Sequence, residues 1–189
     1  MMEPFKMAIS KAIPIPVSHD SLLDADRHDM LGLTLSAALP LAVFIIANGV
    51  AELNGYAPLF FSPFAIPGWI GAAMHLACLP LFGIARWMVA ERGARGRTAG
   101  WWLVALMAGM IAIPFVVAPL DSFALSTISV ALLLLGTATA LRVAHVSRRA
   151  GWVMLPALGW LGFSAAVGLM FVAAWAPPFA LTNSNVTSV

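Results

Sequence analysis

His75 and Cys78 lie three residues apart in the apolar run 69–90, and Phe82 follows four residues later. On a helix that spacing stacks the three on one face, a turn apart. An ionisable side chain within an apolar span is a functional hypothesis by default, since an imidazole there can ligate haem iron or hydrogen-bond a carboxylate-bearing tetrapyrrole. A histidine and a cysteine three apart form a weak metal pattern, so the favoured reading is plainer. It is a neutral histidine bonded to a carbonyl or hydroxyl of a neighbouring helix. His145, near the end of a later run, reads as interfacial.

The last apolar run offers a second constellation. Pro156, Trp160, Phe163, Ser164, Val167 and Phe171 fall on one helical face, and Gly159, Gly162 and Ala166 on another. A small face suits helix packing, whereas an aromatic face suits either core or a flat ligand, and alone it is more often core. In the third run Ala105, Ala108, Gly109 and Ala112 make a narrow small-residue face that another helix can approach closely, within the bundle or from a second copy. Ser126, Ser129, Thr137 and Thr139 are expected to satisfy helix carbonyls or to pack as small residues. No nucleophile, base and orienter spacing, glycine-rich phosphate loop or zinc pattern is present, so no catalytic residue is assigned.

These side chains need elements to hold them, and composition says what those are. The chain has 189 residues, 61% hydrophobic and only 10% charged, with a mean hydropathy of +0.94, too apolar for a water-soluble domain. Five apolar runs, 31–53, 69–90, 100–117, 123–146 and 152–175, each approach the roughly 20 residues a helix needs to cross hydrocarbon. The expectation is an all-α integral membrane protein, a bundle of five transmembrane helices over 31–175. A polar tail at 1–30 and a second tail at 176–189 flank it. No apolar stretch precedes the first tail and it carries four aspartates, so it does not read as a targeting signal.

Charge sets an orientation. All ten Lys and Arg lie in the N-terminal tail, in the 2–3 and 4–5 connections, or at the helix ends beside them. Residues 54–68, 118–122 and 176–189 have none, and Glu52 and Asp121 are the acids on that side. The asymmetry predicts a cytoplasmic N-terminus and an outer C-terminus, and it supports an odd number of spans. Basic residues placed this way serve topology and argue against nucleic-acid binding. The lone Cys78 excludes an intrachain disulfide and a multi-cysteine metal site.

The connection 55–68, GYAPLFFSPFAIPG, carries Pro58, Pro63 and Pro67, which oppose a continuous helix until about Trp69. Leu59, Phe60, Phe61, Phe64 and Ile66 are costly in water, so the segment is expected to fold back over the bundle as a lid. Tyr56, Leu59, Pro67 and Trp69, then Gly83 and Trp87, then Leu155, Pro156, Trp160 and Phe163 in LPALGWLGF resemble the TspO/MBR family (tryptophan-rich sensory protein, translocator protein). The likeness runs from residue 31 to about 175. Phe64, His75 and Gly55 stand where that family has tryptophans, and Gly109, Ala112, Ala157 and Gly168 replace its usual Asn, Trp, Tyr and Asn.

The resemblance implies a five-helix fold with a pocket beneath the first loop, walled by Trp69 and Trp160. It implies a homodimer through the third helix. The candidate lining is Tyr56, Phe60, Phe64, Trp69, His75, Cys78, Phe82, Trp160, Phe163 and Ser164. The ligands it implies are porphyrin, haem or a related flat apolar molecule, in a sensory, regulatory or translocating role in a bacterial cell membrane. No cofactor is obligatory, and His75 is a weak haem-ligand candidate. Two alternatives stay open: light-dependent porphyrin breakdown assisted by Trp69 and Trp160, and a structural membrane partner whose pocket has lost its ligand. No basic residue follows Trp175, so a cholesterol-recognition pattern is absent there.

Overall fold

The computed structural model describes residues 27–64, 66–117 and 120–175, with side chains described from residue 30 to residue 174 of those. The expected tails, but for the few residues that begin the first helix, lie outside the described residues. Six helices are present among the described residues: α1 Arg27–Leu53, α2 Gly68–Ala90, α3 Gly93–Val116, α4 Ser122–Val146, α5 Arg148–Val153 and α6 Leu155–Trp175. All but α5 are long and apolar enough to cross a membrane, and the chain is an all-α integral membrane protein built on five spans.

Besides the start of α1 at Arg27 rather than residue 31, two boundaries differ from the sequence reading. Helix α3 starts at Gly93, earlier than residue 100, because Arg95 and Arg97 extend it beyond the apolar run as an interfacial first turn. The last run is split at Met154, with the short α5 before it. Pro156 supplies no N–H to the carbonyl one turn back and disfavours helical backbone at Leu155. Met154 instead donates to Gly151 O at 3.2 Å, and Leu158 restarts the helical pattern by donating to Met154 O at 3.0 Å.

Helix α2 is the centre of the bundle, touching all five other helices, whereas α1 lies at the edge against α2 and α3 only. The outward side of α1, with Leu31, Leu35, Leu39, Ile45 and Ile46 exposed, is a lipid-facing surface. Helices α1 and α2 lie backbone against backbone at Gly83, where a Cβ would run into the Ser36 carbonyl. Pro40, four residues after Ser36 in α1, has no N–H for that carbonyl, which is left to face the neighbouring helix. The buried core runs along this axis through Leu79, Phe82, Ala85 and Val89 of α2, with Leu103, Leu106 and Met110 of α3.

Polar residues at the ends cap the helices. Asp121 accepts from Ala124 N at 2.7 Å and so is the N-cap of α4. At the arginine-bearing end, Arg92 Nη1 donates to Val146 O at 3.1 Å, covering a last-turn carbonyl of α4. Ser129, Thr137 and Thr139 donate to carbonyls one turn back.

Candidate functional site

The lid begins where α1 is stopped. Gly55 has φ +77°, a left-handed conformation that costs glycine nothing. Tyr56 N donates to Ala51 O at 2.9 Å and Gly55 N to Glu52 O at 3.0 Å, the paired bonds of a Schellman cap. The chain then turns back across the bundle. Leu59 N donates to Pro114 O at 2.7 Å, tying the lid to α3. Ser62 Oγ donates to the Ile66 carbonyl within the lid. At Gly71 the lid backbone lies directly on α2, for a Cβ there would meet the Phe61 carbonyl.

Successive side chains of extended backbone point opposite ways, and Phe60 and Phe61 use this to reach both sides of the bundle. Phe60 meets Phe44 at 6.0 Å and His75 edge-on at 5.7 Å between ring centroids. Phe61 meets Trp160 and Phe163, each at 6.2 Å and edge-on. Beneath this bridge is a cavity of about 310 Å³, walled by the lid, α2, α3, α4 and α6. Among the expected residues Phe60, His75, Trp160 and Ser164 line it.

The remaining candidates lie elsewhere. Cys78 and Phe82 share the inward face of His75 but sit one and two turns deeper, in the packed core, with Cys78 Sγ bonded to Met74 O at 3.2 Å. Phe163 braces Trp160 at 5.8 Å from outside the wall. Tyr56 is 68% exposed and Phe64 61%, the latter at the lid's tip with φ +57°. Trp69, expected as a wall, is 72% exposed. At about 100° per residue it points almost opposite to Gly71 and well away from His75, so only Trp160 of the two expected tryptophan walls lines the cavity. Phe61, Ser62, Met110, Pro114 and Ser129 also line it. The adjacent Phe60 and Phe61 were the sequence signal for a two-sided lid, whereas the α3 and α4 residues had none.

The histidine's chemistry follows from the proline on α3. Met110 O would ordinarily accept from the N–H of residue 114, but that residue is Pro114 and has none. His75 Nε2 lies 2.7 Å from Met110 O and supplies the missing donor. A carbonyl only accepts, so Nε2 carries the proton, and in the neutral ring Nδ1 is then an acceptor. This is the plainer reading of the sequence, a histidine bonded to a neighbouring helix. Ser129 and Ser164 each spend their single proton on a carbonyl one turn back, at 2.9 Å. Among the described residues the cavity therefore offers aromatic and aliphatic wall, hydroxyl and imidazole acceptors, and no charged side chain. No group of three His, Cys, Asp or Glu that could hold a metal occurs among the described residues.

On α3, Ala105, Ala108 and Ala112 are exposed, while Gly109 turns toward α4, where a Cβ would stand 2.7 Å from Leu132 Cδ2. The small-residue stripe is thus left largely open within one chain. The sequence matches the model of the TspO/MBR family over residues 36–176, most of the chain. No curated protein and no solved structure matches it significantly.

Proposed function

The chain belongs to the TspO/MBR family, and from that membership and its cavity we propose that it binds a flat, apolar small molecule of the porphyrin class beneath the 55–68 lid. The role is sensory, regulatory or translocating. The observation that carries this reading is the acceptor-lined aromatic cavity between Phe60, Phe61, His75 and Trp160. Its volume of about 310 Å³ is at the small end of the 300–1,000 Å³ usual for ligand sites. A macrocycle enters by one edge and leaves its periphery at the mouth. Aromatic walls reward a planar ligand through area and ring–ring geometry. The open alanine face of α3 is where a second copy would pair with the first, and the arginine-bearing end is the cytoplasmic one in this reading.

Titration of protoporphyrin into detergent-solubilised protein, followed by porphyrin absorbance and tryptophan quenching, tests it. Trp160→Ala is expected to weaken binding several-fold, about 1 kcal/mol, whereas Trp69→Ala leaves it unchanged. Because no cation lines the cavity or occurs in the connections at that end, the neutral dimethyl ester should bind within about threefold of the free acid. Quenching no greater than that of an unrelated membrane protein disposes of the proposal.

A further inference from the structure

A second hollow of about 320 Å³ lies at the arginine-bearing end, between α2 and α3 and beside Ser36 of α1. Arg86, Arg97, Trp87 and Trp101 form its edges, and Val104 carries its wall toward the membrane interior. Gly100 helps keep it open, since nothing lies within 4 Å of the place a Cβ would occupy. Arg86 comes one turn before α2 ends at Ala90, and Arg97 one turn after α3 starts at Gly93. Both leave their helices about 6 Å inside the ends, the depth of lipid headgroups. Trp101 is 73% exposed and Trp87 half-buried, as suits rings at a membrane–water boundary.

These two arginines differ from neighbours that have partners. Arg92 is bonded to Val146 O, and the Arg142 guanidinium lies 4.3 Å above the Trp102 ring. Among the described residues Arg86 and Arg97 have neither an ion pair nor a hydrogen-bond partner, and no carboxylate lines the hollow. Two like charges facing one hollow repel each other, and an anion between them removes that cost. Guanidinium donors fit phosphate oxygens in pairs.

We propose that this hollow binds the phosphate of an anionic phospholipid, with Arg86 and Arg97 donating to its oxygens and Trp101 lying along the glycerol and upper acyl chain. The apolar continuation past Trp101 to Val104 is what selects a lipid over a free anion, because only a chain-bearing ligand covers it. The site is at the other end of the bundle from the His75 cavity and does not depend on what that cavity holds.

The full chain in mixed micelles, titrated with phosphatidylglycerol or phosphatidylcholine carrying brominated acyl chains, provides the test through tryptophan quenching, with native mass spectrometry counting retained lipid. Phosphatidylglycerol is expected to bind about tenfold more tightly than phosphatidylcholine. Arg86→Gln with Arg97→Gln removes that preference, while Arg148→Gln with Arg149→Gln, the same charge change at the same end, keeps it. Millimolar inorganic phosphate should not displace the lipid. Equal binding of both lipids to the unaltered protein overturns the proposal without recourse to any variant. So does an equal loss in the two double variants, which would reveal general charge attraction, and so does displacement by inorganic phosphate, which would reveal an anion site alone.

Discussion

Gly71→Ala is expected to leave α2 as stable as before, or more so, and to weaken porphyrin binding about tenfold or more. Alanine in a helix interior is favoured over glycine by about 0.5–1 kcal/mol, so the substitution does not harm the helix. Its methyl group, however, would occupy the place of the Phe61 carbonyl, and overpacking of this kind costs about 1–3 kcal/mol. The weaker partner yields. Helix α2 is held by every other helix, whereas the lid is tied to the bundle by the Leu59–Pro114 bond and its aromatic contacts. Lifting the lid withdraws Phe60 and Phe61 from the cavity and opens it to water. Thermal unfolding and ligand titration in the same detergent check this, and a variant that binds normally would show that the seat at Gly71 does not shape the cavity.

The second large effect is a coupling between His75 and Pro114. His75→Phe preserves an aromatic ring but leaves Met110 O buried without the donor it has at 2.7 Å, at a cost of about 1–3 kcal/mol. Pro114→Ala restores a backbone N–H at the position from which a helix ordinarily serves that carbonyl. In the Pro114→Ala background the histidine substitution should therefore cost at least about 1 kcal/mol less than it does alone. A double-mutant cycle on unfolding free energies measures the difference. Strict additivity would mean that the histidine is not replacing the proline's missing donor.

Composition, run length and the one-sided arginines determined that this chain is a bundle of five membrane spans, because hydrocarbon leaves a backbone few ways to satisfy its polar groups. The lid was legible too, since prolines between apolar residues cannot extend either helix and cannot rest in water. The family was legible as well, through the likeness at Leu155, Pro156, Trp160 and Phe163. What the sequence left undetermined was which aromatic faces inward. Trp69 and His75 belong to the same helix, and only the packing of α2 against α3 and α6 decides that the histidine lines the cavity and the tryptophan faces away.

The tertiary structure also assigned the hydrogen bonds. Ser126 illustrates the gap: its neighbour Ser129 bonds a carbonyl one turn back, as a helical serine is expected to do. Ser126 Oγ instead is buried against Gly168 with no partner. His75 shows the same gap from the other side, because the carbonyl it serves is orphaned by a proline 39 residues away in sequence. A sequence gives each helix its donors and acceptors but not the neighbour that completes them. Side chains from distant segments meet only when the helices pack, and that meeting decides which nitrogen of His75 donates and which is left to accept.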